Sequence, residues 1–179
     1  MRNKDRLKIF EMTKISLLVA LLSLSSYIVI PLPFTPVVFS IHTVVVNLIG
    51  LILNRKDAAL AILSYLIMGF CGLTVFSAGT AGPAKLFGPT GGFYFGFLIA
   101  VIVISILKRN NKFSSYFLIT AFVGLPIQHI FAIIFMCFYN GFNIKSAVLA
   151  VSLPFIVTDI IKCFMASFIA VKLNEVLKN

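Results

Sequence analysis

Six apolar runs, at about residues 10 to 30, 37 to 53, 57 to 73, 91 to 107, 116 to 139 and 147 to 173, take up most of the chain. They constrain its fold more than any other feature. Each is continuously apolar and close to the ~20 residues a helix needs to cross a bilayer, whereas strands of a membrane barrel alternate over about 10. The chain therefore reads as an all-α membrane protein of six transmembrane helices. Polar stretches divide the runs: PLPFTP, NRKD, the glycine-rich residues 74–92, KRNNK and YNGFN. The first run follows a basic segment, as in a secretory leader, but it extends to Ile30 and meets prolines with no small-residue cleavage site. A retained span is expected. With 60% apolar and 11% charged residues, the composition lies outside that of soluble domains. The expectation is one integral domain, residues 1–179, in the cell membrane.

The net charge of +10 does not indicate nucleic acid, because the basic residues neither form one tract nor alternate with exposed aromatics. They flank the apolar runs instead. Along an up-and-down path, Arg2, Lys4, Arg6, Lys8, Lys14, Arg55, Lys56, Lys108, Arg109, Lys112, Lys172 and Lys178 fall on one side, and Lys85 and Lys145 on the other. The excess of positive charge inside then places both termini in the cytoplasm. PLPFTP, the long glycine-rich loop between helices 3 and 4, and YNGFNIK become the external connections. Cys71, Cys137 and Cys163 show no paired spacing, so neither a metal site nor a disulfide framework is expected.

Asp159 and Lys162 lie inside the last run, AVLAVSLPFIVTDIIKCFMASFIAV. An ionised group there costs roughly 2.5 to 3.5 kcal/mol on insertion scales, so such groups face a bundle interior and mark a pathway or pocket. At i and i+3 the two share a helix face. An ion pair that only fixes the helix in register is the other reading. For an unbroken helix entered near Ala147, a rise of about 1.5 Å per residue places the pair roughly 18 to 22 Å deep. The loop TVFSAGTAGPAKLFGPTGG, with glycines at 79, 82, 88, 91 and 92, could bring main-chain N–H groups to a small polar or anionic ligand. By composition alone a flexible external loop fits equally. There is no G-x-x-x-x-G-K-[ST], hence no visible ATPase motif, and no nucleophile-and-base constellation of an enzyme.

The segments IPLPFTPVVFSIHT, YLIMGFCGLTVF, GPTGGFYFGF and PFIVTDIIK, in that order, resemble the BioY family, the biotin-specific substrate-binding (S) components of energy-coupling factor (ECF) transporters. The resemblance runs from about Leu17 to Val171. It implies a six-helix S component that captures extracellular biotin, without a cofactor, and works with a membrane-embedded coupling subunit and two cytoplasmic ATPases. Matched positions are Gly88, Pro89, Thr90, Gly91 and Gly92, with Asp159 and Lys162. Asp159 would accept from a ureido N–H; Lys162 would donate to the ureido oxygen or orient Asp159. Tyr65, Phe76, Phe87 and Phe93 are candidates to wall the apolar part of the ligand, and Lys85 to meet its carboxylate. The chain departs from the family pattern at His42, where glutamine is usual, in GLTVF for GLPVF, and at Phe93, where tyrosine is usual. His42 fits either a ligand contact or a plain interfacial histidine. His129, beside Gln128, is expected to bond a neighbouring helix. On the first helix Ser16, Ala20 and Ser23 would permit close approach of the coupling subunit. An autonomous facilitator or proton-coupled transporter, with Asp159 as the protonated group, is the second reading.

Overall fold

The structure is a computed structural model that describes residues 2–30, 39–141 and 143–178. Helix α1 (Arg2–Ser25) is followed by a two-residue antiparallel ladder of β1 (Val29–Ile30) and β2 (Phe39–Ser40). Next come α2 (His42–Ile52), α3 (Arg55–Phe70), the one-turn α4 (Pro83–Leu86) and α5 (Gly91–Leu107). Helices α6 (Phe113–Ile119) and α7 (Leu125–Asn140) are joined without a break by a π turn, Thr120–Gly124. The chain ends in α8 (Ile144–Val151) and α9 (Ile156–Lys178).

Local chemistry sets several of these boundaries. Asn54 is extended before α3 and Asp57 sits in its first turn, where a carboxylate favours the positive helix end. The same helix stops at Gly72, whose φ of 99° is left-handed, while Leu73 N–H reaches back to Met68 O at 3.1 Å. That is a glycine-terminated C-cap. Asn143 accepts from Ser146 N–H at 2.8 Å to start α8. Lys108, just past α5, donates to Leu51 O and Leu53 O at 3.0 and 2.6 Å, tying off the carbonyl end of α2.

Helix α5 is the hub. It packs on α2, α3 and α7, while α2 also holds α9, and α1 lies on α3 and α2. Ile15, Leu18, Val19 and Leu22 of α1 enter a core with Val46, Ile49, Ile62, Tyr65, Phe76 and Phe97. Its opposite side leaves Leu17, Leu21 and Leu24 exposed, as a helix facing lipid or a partner does.

Three expectations need correction. The run at 37 to 53 is helical only over His42–Ile52, about 16 Å of helix at 1.5 Å per residue, against roughly 30 Å of hydrocarbon. Part of that run became a strand, because β2 pairs with β1 at the end of the first run, Val29 with Ser40 and Ile30 with Phe39. PLPFTP itself lies outside the described residues. The last run is not one helix: α8 and α9 meet at 51°. Pro154 explains this, since it has no N–H and its ring crowds the preceding turn. Bonding shifts to Leu153 N to Val148 O at 3.1 Å and Phe155 N to Ser152 O at 3.0 Å. Straight-helix depth from Ala147 therefore does not apply. By contrast, the fifth run forms a continuous apolar helix, Phe113–Tyr139, of 27 residues with an 18-residue stretch of mean hydropathy 2.0, long and apolar enough to cross a membrane.

The glycine-rich residues 74–92 are a folded unit. Phe76 and Thr80 exchange main-chain hydrogen bonds at 2.9 and 3.2 Å, Ala78 N–H donates to Ser26 O at 2.9 Å, and Gly82 N–H to Gly69 O at 2.8 Å. Tyr27 OH donates to Thr74 O at 2.9 Å. Phe76 is fully buried between Tyr65 and Tyr94. The loop is thus pinned to the ends of α1 and α3 and to the top of α5.

Candidate ligand-binding cavity

Between this loop, α2, α5 and α9 lies a cavity with about 560 Å³ of empty space, open solvent at its mouth included. Its walls are Ser40, Thr43, Ser77, Lys85, Thr90, Phe93, Tyr94, Phe97, Phe155, Asp159 and Lys162. The break before α9 puts Asp159 in that helix's first turn; Phe155, Asp159 and Lys162, at i, i+4 and i+7, then line one face. Thr90, the N-cap of α5, and Phe93, Tyr94 and Phe97 within that helix, at i, i+3, i+4 and i+7, form another wall. The result is an aromatic slot with charge along one side.

Asp159 and Lys162 are both 5% exposed. Lys162 Nζ donates to Asp159 Oδ1 at 2.7 Å, and His129 Nε2 lies 3.0 Å from Asp159 Oδ2. His129 Nδ1 is 3.0 Å from Ser152 Oγ, at the helix break. A carboxylate offers about four acceptor positions, so after two protein bonds Asp159 keeps capacity for a ligand N–H. Lys85 comes from α4. Burial pulls its pKa below the ordinary lysine range, which makes an anionic partner there favourable to its ammonium.

Of the residues singled out from sequence, Lys85, Thr90, Phe93, Asp159 and Lys162 line the cavity together. His42 and Tyr65 stand behind its wall. His42 Nε2 is 2.9 Å from Tyr65 OH, which donates to Val75 O at 3.0 Å, and the imidazole stacks on Phe97 with ring centres 6.3 Å apart. Gly88, Pro89, Gly91 and Gly92 do not line the cavity. For Gly91 and Gly92 the role visible in the structure is close packing: a Cβ on Gly91 would collide with Leu86 O, and one on Gly92 with Phe131 O. The N–H groups of Gly82 and Gly91 are already bonded to Gly69 O and Gly88 O, so these two donors serve the fold. Phe76 is in the core, and Phe87, half exposed, faces away with Phe138 and Tyr139. Ser16 and Ala20 lie exposed on the outer side of α1; Ser23 is half-buried and donates to Val19 O at 2.9 Å.

Sequence reasoning missed Ser40, Thr43, Ser77, Tyr94, Phe97 and Phe155 as cavity walls, and His129 as a partner of Asp159. The helical spacing of 90, 93, 94 and 97 was a usable signal for two of them. No metal-ligating cluster of histidine, cysteine, aspartate or glutamate occurs among the described residues.

The BioY family model matches residues 1–179. Among curated relatives, the biotin transporter BioY of Thermotoga maritima is 32% identical over 165 residues, covering 92% of this chain and 96% of that protein. The biotin transporter BioY2 of Lactococcus lactis subsp. cremoris is 31% identical over 176 residues, 96% of this chain and 94% of the relative. A probable biotin transporter BioY from Pyrococcus horikoshii is 33% identical over 168 residues, 94% and 98% of the two chains. The crystal structure of an S-component for biotin from an ECF-type ABC transporter superposes with a TM-score of 0.86 at 21% identity, covering 95% of this chain and 93% of that one.

Proposed function

The chain belongs to the BioY family of integral membrane proteins, and on that premise we propose that it is a biotin-capturing S component of an ECF-type importer. The observation that carries the reading is the cavity in which Asp159, Lys162 and Lys85 share walls with Phe93, Tyr94, Phe97 and Phe155. Biotin has a ureido group that donates and accepts, an apolar bicyclic body, and a carboxylate on a flexible arm. Asp159 accepts from a ureido N–H, Lys162 donates to the ureido oxygen, and the aromatic slot takes the body. Charge-assisted bonds of this kind are about twice as strong as neutral ones and fix orientation. Lys85, which lines the same cavity, meets the carboxylate.

In this reading the chain makes six passes as one unit, through α1, the β2 strand together with the short α2, α3, α5, the continuous α6–α7 and the bent α8–α9. Both termini are cytoplasmic, and the 74–92 loop caps the cavity outside. Ser16, Ala20 and Ser23 face a membrane-embedded coupling subunit, and two cytoplasmic ATPases supply the energy that this chain has no motif to extract. Gly88, Pro89, Thr90, Gly91 and Gly92 hold the cap in place, and His42 and Tyr65 brace the wall behind it.

Calorimetric titration of detergent-purified, folded protein is expected to give saturable biotin binding in the submicromolar range; no such binding overturns the proposal. Lys85→Ala is expected to weaken biotin about tenfold, the scale of one hydrogen bond to a charged group, and to leave biotinamide unaffected. Equal losses for the two ligands would place the carboxylate elsewhere.

A further inference from the structure

Asp159 stands directly after a discontinuity in its own helix, so its orientation depends on what holds α9 against α8. One ring spans that gap. His129, on α7 and 6% exposed, has Nδ1 3.0 Å from Ser152 Oγ in the break and Nε2 3.0 Å from Asp159 Oδ2 beyond it. The ring also meets cavity-lining Phe93 edge-on, with centres 6.0 Å apart and planes at 77°. Because a carboxylate oxygen accepts, Nε2 carries a hydrogen toward Asp159, while Nδ1 meets the Ser152 hydroxyl, which can donate or accept. His129 itself does not line the cavity.

Resting on the biotin reading, we propose that His129 is a positioning residue for ligand capture. By donating its Nε2–H to Asp159 from α7, it aims the remaining lone pairs of that carboxylate at the ligand's N–H. Lys162 alone does not do this, because it lies one turn along the same helix as Asp159 and moves with it. His129 comes from a different helix and supplies an external reference. Second-layer partners of this kind commonly orient a ligand-binding group.

Two near-isosteric replacements separate the ring's two bonds. An asparagine amide falls near Nδ1, so His129→Asn can keep the Ser152 link while losing the Asp159 donor. A glutamine amide reaches Nε2, so His129→Gln keeps the donor and loses the link. In full-length protein, His129→Asn is expected to weaken biotin about tenfold or more, with His129→Gln within about threefold of the parent by the same measure. Thermal stability of the two unliganded variants is expected to match. Equal loss of affinity in both, or parent-like affinity in both, would overturn the proposal.

Nitrogen-15 spectra of labelled histidine supply a readout that does not need the ligand. The chain has 2 histidines, so His42→Gln assigns the signals. His129 is expected to be protonated at Nε2. In Asp159→Asn the single amide oxygen goes to the Lys162 ammonium, which turns the NH2 toward His129 Nε2 and forces the proton to Nδ1. Unmoved His129 resonances in Asp159→Asn would sink the clamp even if biotin binds. Absence of biotin binding by the parent protein, with the tautomer switch present, would count against the ligand assignment and leave the clamp standing.

Discussion

Replacing Asp159 by asparagine is expected to weaken biotin binding about 10- to 200-fold, the range that follows from losing one hydrogen bond to a charged acceptor, ~1.5 to 3 kcal/mol. The change is nearly isosteric, so the loss reports chemistry and not volume. Asp159 receives Lys162 Nζ on Oδ1 at 2.7 Å and His129 Nε2 on Oδ2 at 3.0 Å. Asparagine has one carbonyl oxygen for these two donors, and its NH2 must oppose one of them or force a tautomer change. A ligand N–H would then find a neutral acceptor that is already engaged. The buried Lys162 ammonium also loses its counter-charge, a destabilisation in its own right. Titration calorimetry with biotin measures the first effect and unliganded melting the second. Asparagine that binds biotin like the parent would remove Asp159 from the site. Lys162→Met makes the complementary test, since it takes away the ureido-oxygen donor but leaves Asp159 bonded to His129; it is expected to lose affinity by a similar factor with less effect on melting.

How much of this was legible in the sequence varies with the physics behind each feature. Continuous apolarity reports solvation by lipid, a property of each segment by itself, and the helix expected at 91 to 107 is found at Gly91–Leu107. The fifth run likewise becomes Phe113–Tyr139. Where a segment's fate depended on another segment, the reading failed. The start of the second run pairs as a strand with the end of the first, a relation no local pattern records. The break in the last run was written in Pro154, but apolar residues continue on both sides and mask it. Asp159 and Lys162 stood out because an isolated charge in an apolar run has few uses. His129 did not, because its bond to Asp159 crosses 30 residues and a neighbouring helix. With 19 phenylalanines in the chain, only spacing could have distinguished Phe97 from Phe87.

Glycine was the hardest residue to read, and Gly92→Ala is expected to show why. In a ligand-contact role, glycine is needed so that backbone can approach a bound molecule; in a packing role, so that two helices can approach each other. The structure shows a packing contact at Gly92: a Cβ there would collide with the carbonyl oxygen of Phe131 on α7. That oxygen belongs to the backbone and cannot swing aside as a side chain would, so α5 and α7 must separate. Overpacking of this kind costs about 1 to 3 kcal/mol, which for a chain of this size corresponds to a melting temperature lowered by about 2 to 12 °C. Phe131 is two residues from His129, whose ring holds Asp159. Moving α7 outward therefore lengthens that contact, and biotin affinity should fall together with stability. Melting of the unliganded protein discriminates the two roles. A variant that melts like the parent but no longer binds biotin would return Gly92 to direct ligand contact, whereas loss of both properties ties the GPTGG segment to the site through the α5–α7 packing that carries His129.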